Sequence, residues 1–170
     1  HHYLSQHPGI LMAREKEPHF FNNHFYLGVN WYRQFFPWAW RRELAGESTA
    51  DYFFHPRSAP NIARVLPESK LIIVFRDPVE RAFSQYRHNL RAKPWIQDGR
   101  PEISENLSFE EALEAEEGRL EGEREKLLAD ERYFSWNHEH YSYKARGRYI
   151  QQLEYWLKYF DICQMLIIQS

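Results

Sequence analysis

The clearest hydrophobic pattern in the chain is "KLIIVFRD", residues 70–77, where five consecutive apolar residues precede Arg76 and Asp77. The run does not alternate with polar residues, and three of its members are β-branched, which is typical of a parallel strand covered on both faces. A second run of this kind, "CQMLIIQS", closes the sequence. We therefore predict two buried strands.

The segment that follows the first strand, "PVERAFSQYRHNL", has helical spacing. Asp77 can cap this helix, proline fits its first position, and Glu80 completes an arrangement like a capping box. The helix is expected to turn its apolar positions toward the sheet. These positions are Val79, Phe83, Tyr86 and Leu90.

Other segments predict further helices and strands. We expect helices in "HPRSAPNIARVLP", "SFEEALEAEEGRLEGEREKLLADE" and "GRYIQQLEYWLKYF". A short strand is predicted at "ESTADYFF", and an extended segment through Glu17 and Pro18 to Phe21, with Phe20 and Phe21 anchored in the core. This order predicts a single α/β domain over residues 1–170, with three layers and a mainly parallel sheet flanked by helices. Ligands in such folds bind at the carboxyl ends of the strands.

Charge and composition narrow the possible functions. Lys and Arg total 22 against 24 Asp and Glu, a net charge of −2, so an anion must be bound locally and nucleic acid is not an expected partner. No apolar run reaches the roughly 18 residues of a membrane span. Cys163 is the single cysteine, which excludes an internal disulfide and indicates a reducing compartment.

Arg76 and Ser84 form a candidate anion site. Ser84 lies on the polar face of the predicted helix, roughly 10 Å along its axis from Asp77. A guanidinium and a hydroxyl together suit a phosphate group. In the alternative interpretation Arg76 pairs with Asp77, Glu80 or a carboxylate of a neighbouring strand, and Ser84 is a small packing residue. The spacing leaves both interpretations open.

The stretch "FRDPVERAFSQY" resembles the 3′-phosphate-binding motif of sulfotransferases that use 3′-phosphoadenosine-5′-phosphosulfate (PAPS), especially the heparan sulfate N- and O-sulfotransferases and their bacterial relatives. Three more stretches match in the same order, so that the resemblance covers most of the chain. They are "KEPHFF" with "GVNWYRQFFP" behind it, "GESTADYF" and "RGRYIQQLEYWLKYF". The resemblance implies a P-loop-related sulfotransferase fold and sulfuryl transfer from PAPS to a hydroxyl or amine of a glycan, glycolipid or similar small acceptor. The expected product is adenosine 3′,5′-bisphosphate, and no metal is expected.

The resemblance also assigns roles to individual residues. It implies that Arg76 and Ser84 hold the 3′-phosphate and that Glu17 is the general base that takes the acceptor's proton. His19 is the rival base and a candidate substrate contact. Ser48 stands where heparan-type relatives have a lysine, which makes it a further candidate contact.

The resemblance also implies that Tyr143 and Arg146 in "WNHEHYSYKARGRY" border the acceptor cleft, as the matching region does in bacterial relatives, which makes them two more candidate substrate contacts. His138, Glu139 and His140 in the same stretch lack the spacing of a helical zinc motif, which argues against a metal there. Sugar rings could also stack on exposed tryptophans. The candidates are Trp31, Trp38, Trp40 and Trp95, of which Trp31 is expected in the core.

Relatives in the family carry a lysine-containing phosphosulfate loop before a stretch like "YLSQHP", which here stands near residue 1. We therefore expect a central portion of the sulfotransferase domain, incomplete at both ends, from a cytoplasmic bacterial-type enzyme rather than one of the Golgi lumen. Two other functions stay open. One is a different α/β nucleotide-dependent enzyme such as a kinase, and the other is a non-catalytic interaction module that uses the acidic helix.

Overall fold

The structure is a computed structural model that describes residues 2–36, 44–91 and 105–170. Its strands are β1 (Ile10–Met12), β2 (Leu44–Gly46), β3 (Leu71–Phe75) and β4 (Met165–Gln169). Its α-helices are α1 (Phe20–Asn23), α2 (Val29–Arg33), α3 (Ser58–Val65), α4 (Pro78–Arg91), α5 (Phe109–Leu120), α6 (Glu123–Ala129), α7 (Trp136–His140) and α8 (Tyr149–Trp156). Short 3-10 turns occur at Leu4–Gln6, Phe25–Leu27, Ala50–Phe53, Ala145–Gly147 and Ile162–Gln164.

Both strand pairs are parallel. β3 pairs with β4 from Leu71 opposite Met165 to Phe75 opposite Gln169, and β1 pairs with β2 over three residues. Helices α4 to α8 lie between β3 and β4 in the sequence, as a crossover connection between parallel strands requires. The prediction of an α/β fold with parallel strands flanked by helices is confirmed, although the described strands form two two-stranded sheets.

Aromatic side chains form the main core. The Phe20 ring lies 4.6 Å from that of Tyr32 and 4.9 Å from that of Phe21, and both phenylalanines are fully buried as predicted. Trp156 from α8 joins this cluster and donates its indole N–H to the Phe53 carbonyl at 2.9 Å. Much of the aromatic content is therefore used in packing. The buried members are Phe20, Phe21, Tyr32, Tyr52, Ala59, Ile62, Trp156 and Phe160.

One face of the β3–β4 pair is less covered than predicted. Ile73 is buried, but Ile72 is 51% exposed and Val74 60% exposed, and Leu166 and Ile168 opposite them on β4 are exposed too. Alternate residues of a strand point to opposite faces. Within the described residues, packing covers the face of the sheet that carries Ile73 and leaves the face of Ile72 and Val74 exposed. The prediction that both faces are covered is therefore wrong for this part of the chain.

Helix α4 also turns a different side inward. Ala82, Tyr86 and Asn89 are buried, whereas Val79 and Phe83, with Leu90, are exposed; of the predicted inner positions only Tyr86 is buried. The cause is that α4 packs against α5 and the segment around Tyr143. Buried Asn89 donates to the His140 carbonyl at 2.7 Å, and this hydrogen bond explains why a polar residue is tolerated at the interface.

Two local predictions near residues 17–53 are wrong. The expected strand in "ESTADYFF" is the 3-10 turn Ala50–Phe53, and the extended segment ends when α1 begins at Phe20. Half-buried Glu47 explains the turn, since the hydroxyls of Tyr32 and Tyr52 donate to its Oε1 at 3.0 and 2.8 Å. Such hydrogen bonds satisfy a carboxylate that burial would otherwise destabilise.

The acidic helix is broken in two. Gly122 has a φ of +70°, a left-handed conformation that glycine adopts without steric cost, and it separates α5 from α6. Within the described residues, none of the helices has the length and apolarity that crossing a bilayer requires.

Candidate active site

Glu17 lies in the connection between β1 and α1, next to the Ala50–Phe53 turn. Its side chain is 24% exposed, and its Oε2 accepts a hydrogen bond from the Ala50 amide at 3.2 Å. Lys16 Nζ lies 3.6 Å from the other carboxylate oxygen. The carboxylate is thus oriented by the backbone while it stays accessible, as a general base must be.

His19 contacts the same carboxylate. Asn22 Nδ2 donates to His19 Nδ1 at 3.2 Å, and Asn22 Oδ1 accepts from the Asn23 backbone N–H at 3.0 Å, which fixes the orientation of the Asn22 side-chain amide. The proton of the neutral ring therefore sits on Nε2, 3.7 Å from Glu17 Oε2. His19 is arranged to steady the Glu17 carboxylate, which leaves Glu17 as the stronger candidate for the base.

The backbone of His19 has a φ of +51°, in the left-handed region that non-glycine residues seldom occupy. Pro18 before it and Phe20 after it are both buried, so packing on each side holds the imidazole in this conformation. Such local strain clusters at functional sites.

Asp51 and Arg146 form an ion pair beside Glu17. The Arg146 Nη1 donates to Asp51 Oδ1, its Nη2 donates to the Glu139 carbonyl at 3.0 Å, and both charged side chains are more than four-fifths buried. Burial alone raises the pKa of Asp51, but the Arg146 guanidinium outweighs it and holds that pKa below its usual range. The structure therefore places Arg146 beside Glu17 with its guanidinium bound to protein partners, and its role as a substrate contact stays a prediction.

Glu17, His19 and Asp51 bring three potential metal-ligating atoms within 4.8 Å of one another. A divalent cation prefers ligands whose negative charge is available to it. Arg146 already neutralises Asp51, and His19 Nε2 carries its proton toward Glu17. The chemistry of these donors therefore fits an acid–base cluster better than a metal centre.

Two other predicted contacts differ in accessibility. Tyr143 is fully buried, and its hydroxyl bonds to Asn89 Nδ2 at 3.0 Å and to Glu105 Oε2 at 2.8 Å. Its hydroxyl is therefore occupied by protein partners, and its role as a substrate contact stays a prediction. Ser48 is half-buried next to Glu47, and Trp31 packs against the main core, as predicted. Trp38, Trp40 and Trp95 lie outside the described residues.

Arg76 and Ser84 line one shallow groove along the exposed face of α4, with a volume of about 400 Å³. Arg76 Nη2 lies 3.2 Å from Glu80 Oε2 in an exposed ion pair. Pairing of Arg76 with Glu80 is one form of the alternative interpretation that the sequence left open. Such surface pairs contribute only about 0–1 kcal/mol, so an incoming dianion can displace Glu80. The groove is lined by Arg76, Glu80, Phe83, Ser84, Arg87, His88 and Arg91.

The start of α4 is fixed as the sequence predicts. Asp77 Oδ1 accepts from the amides of Val79 and Glu80, both at 2.9 Å, which satisfies two free donors of the first turn. The Tyr149 hydroxyl donates to the Arg76 carbonyl at 3.0 Å. Hydrogen bonds at Arg76 and at the start of α4 therefore fix the backbone from which the Arg76 side chain extends at the carboxyl end of β3.

The segment 143–149 connects the groove to the Glu17 cluster. A Cβ on Gly147 would lie 3.1 Å from that of Pro78, so glycine permits the segment to approach the start of α4 closely. Arg81 of α4 donates to the Tyr143 carbonyl, and Arg146 reaches Asp51 at the other end. One short segment thus links the candidate anion groove to the candidate base.

The sequence reasoning missed Glu47, Asp51 and Glu139 as parts of the site. Glu47 is half-buried, and burial raises its pKa against three hydrogen bonds that lower it. Burial, and after it the neighbouring Asp51, raises the pKa of Glu139. Glu47 and Asp51 both lie in "GESTADYF", and the match of this stretch to the family was the signal that could have indicated them.

This arrangement, a parallel α/β domain with an oriented carboxylate and an arginine–serine groove at the carboxyl end of a strand, defines a candidate nucleotide-dependent transferase. No family model matches the chain. Heparan sulfate glucosamine 3-O-sulfotransferase 3B1 of Homo sapiens is 33% identical over 168 residues, which are 99% of this chain and 36% of that protein. The membrane-associated sulfotransferase kil1 of Dictyostelium discoideum is 34% identical over 123 residues, 71% of this chain and 25% of that protein.

A crystal structure of a sulfotransferase from Alicyclobacillus acidocaldarius matches with a TM-score of 0.72 and 29% identity, over 98% of this chain and 65% of that one. The chain belongs to the sulfotransferase family. It spans about a third or less of the length of the two curated relatives named above.

Proposed function

We propose that the protein transfers a sulfuryl group from PAPS to a hydroxyl or amine of a glycan or similar acceptor, with Glu17 as general base. The observation that carries the proposal is the position of Glu17, whose side chain is 24% exposed, accepts a hydrogen bond from the Ala50 amide and lies 3.7 Å from His19 Nε2. Its relatives in the sulfotransferase family support the reaction class and disfavour the kinase and interaction-module alternatives.

The chemistry requires a base of this kind. As the acceptor oxygen or nitrogen attacks sulfur, the bond from sulfur to the departing phosphate breaks and the acceptor loses its proton. A carboxylate within hydrogen-bonding distance accepts that proton and makes a neutral acceptor a better nucleophile. His19 Nε2–H stabilises the carboxylate before transfer, and the buried ion pair of Asp51 and Arg146 holds the neighbouring turn in place.

The donor would lie along the α4 groove. Arg76 offers a planar fork of N–H donors and Ser84 a hydroxyl, which together suit the 3′-phosphate of the nucleotide. Two further groove arginines, Arg87 and Arg91, add positive charge near that position. When bound, PAPS supplies the activated sulfuryl group, and the groove residues orient it.

Arg76→Ala is expected to weaken binding of adenosine 3′,5′-bisphosphate by about tenfold or more, since a charge-assisted hydrogen bond to phosphate contributes about 1.5–3 kcal/mol. Ser84→Ala is expected to weaken it less. Isothermal titration calorimetry of the full-length protein measures both. Neither substitution is expected to change the affinity for adenosine 5′-monophosphate, because this nucleotide has no 3′-phosphate.

Arg64→Ala is the matched control, because Arg64 is an exposed arginine of α3 outside the groove. It should leave both affinities unchanged. Equal loss of affinity for the bisphosphate and the monophosphate in Arg76→Ala would contradict the assignment of the 3′-phosphate site.

A further inference from the structure

Glu116 on α5 is buried, although it belongs to neither the Glu17 cluster nor the α4 groove. Its Oε2 accepts a hydrogen bond from the Lys144 backbone N–H at 2.6 Å, and its Oε1 accepts one from the Ala145 backbone N–H at 2.7 Å. Burial of a carboxylate is costly unless hydrogen bonds replace its water, and here each oxygen has a backbone donor. The carboxylate therefore holds two consecutive residues of the segment 143–149.

The same segment is bound from α8 by Gln152. Its Nε2 donates to the Ala145 carbonyl at 3.2 Å and to the Arg146 carbonyl at 3.0 Å. Glu116 thus binds N–H groups of the segment and Gln152 binds its carbonyl groups. Because the two side chains take opposite partners on adjoining peptide units, they fix the orientation of this backbone as well as its position.

The segment that these side chains hold contacts both parts of the candidate site. Arg146 follows directly after the two bound amides, and it pairs with Asp51. A carboxylate oxygen of Asp51 lies within 4.8 Å of one of Glu17. In the other direction, Gly147 lies close to Pro78 at the start of α4. A shift of this backbone would therefore displace Arg146 and the surroundings of the base.

We propose that Glu116 is a positioning residue that holds the segment 143–149 in the conformation that sulfuryl transfer requires. It acts through Arg146, whose ion pair with Asp51 stands beside Glu17. The inference rests on the proposed function and adds to it a residue of the acidic helix that does not touch the reacting groups. A displacement of about 1 Å at a reacting centre can cost about 10²-fold in rate, so the effect is expected in kcat.

Nucleotide binding should depend on Glu116 much less. Arg76 and Ser84 lie at the end of β3 and on α4, and the start of α4 is fixed by its own Asp77 cap. A residue with a merely structural role would lower the melting temperature but leave the folded molecules with unchanged turnover. A positioning role instead predicts a loss of kcat in fully folded protein, with the affinity for adenosine 3′,5′-bisphosphate nearly preserved.

Hydrogen–deuterium exchange of single amides tests the hydrogen bonds without any reference to activity. Glu116→Gln keeps the size of the side chain but has one acceptor oxygen, so one of the two amides loses its partner. In the full-length protein, exchange at Lys144 or Ala145 is expected to accelerate by about tenfold or more. Glu114→Gln, at an exposed position of α5, is the matched control and should leave both rates unchanged. Unchanged exchange of both amides in Glu116→Gln would overturn the proposal.

Turnover tests the positioning role, and this measurement rests on the proposed sulfotransferase activity. Well below the melting temperature, kcat of Glu116→Gln is expected to fall by about tenfold or more, with the Kd for adenosine 3′,5′-bisphosphate changed by less than about threefold. Ile62→Val, in the buried core on α3, is the stability control, since it should lower the melting temperature but not kcat. An unchanged kcat in Glu116→Gln, or an equal loss of kcat and nucleotide affinity, would overturn the proposal.

Gln152→Met tests the same segment from α8, which keeps the proposal falsifiable if Glu116→Gln does not fold. Methionine preserves the length of the side chain but has no N–H donor. We expect a loss of kcat of about fivefold or more, again with a smaller change in nucleotide affinity. Wild-type kcat in Gln152→Met would overturn the role of the segment. Absence of sulfated product from the wild type would instead contradict the proposed function itself, and with it the role of Glu116 in transfer.

Discussion

Replacing Glu17 by glutamine is expected to lower kcat of the full-length enzyme by about 10²–10⁴, the range that a positioned general base contributes. The substitution keeps the size of the side chain and its hydrogen bond from the Ala50 amide, but the amide cannot accept the acceptor's proton. The measurement is the rate of sulfated product formation at saturating PAPS and acceptor.

The affinity of Glu17→Gln for adenosine 3′,5′-bisphosphate should stay unchanged, because the α4 groove that we assign to the nucleotide contains no part of Glu17. Lys16→Gln is a suitable control, since Lys16 is an exposed neighbour that lies 3.6 Å from the same carboxylate. It should lower kcat far less than Glu17→Gln. Turnover in Glu17→Gln equal to that of the wild type would contradict the assignment of the base.

Phe20→Ala is expected to lower the free energy of unfolding by about 3–5 kcal/mol, as is usual for truncation of a buried phenylalanine. Phe20 is fully buried, and its ring contacts four other aromatic rings within 6.1 Å. The cavity would open directly below the Glu17 and His19 segment. Urea denaturation measures the free energy of unfolding. The value for Phe20→Leu should fall between those for the wild type and Phe20→Ala.

Ile150→Ala is the matched control for this stability experiment, because Ile150 is a similarly apolar side chain that is 67% exposed on α8. Its free energy of unfolding should change by no more than about 0.5 kcal/mol. If Phe20→Ala and Ile150→Ala cost the same, the aromatic cluster would not be the principal core.

Features that depend on neighbouring residues in the sequence were predicted well. The β3 strand follows from its uninterrupted apolar run, and the Asp77 cap follows from the Asp-Pro pair and the helical spacing after it. The burial of Phe20 and Phe21 follows from a paired aromatic anchor. In each case the physical cause lies within a few residues of the feature, so that the local pattern carries the information.

Features that depend on distant contacts were not predicted. The inner face of α4 is set by α5 and Tyr143 rather than by the sheet, which a helical period alone cannot reveal. Glu116 lies in the predicted acidic helix, yet its side chain is buried and accepts hydrogen bonds from the backbone amides of Lys144 and Ala145. Its partners are 28 and 29 residues away in the sequence.

The acid cluster of the site was missed for the same reason. Asp51 and Arg146 are 95 residues apart in the chain, and only the fold brings them together. Arg146 was predicted at the acceptor cleft from the family resemblance, and the structure shows that its charge is already paired. A resemblance locates a residue in the site, but the contacts decide whether its charge remains available to a ligand.

A donor-comparison assay tests the central claim most directly. The full-length protein is incubated with a set of glycan acceptors and either PAPS, or ATP with Mg²⁺, and the products are identified by mass spectrometry. Our account predicts a sulfated acceptor and adenosine 3′,5′-bisphosphate with PAPS, both absent with Glu17→Gln. Phosphorylated acceptor from ATP, with no sulfated product from PAPS, would contradict the account.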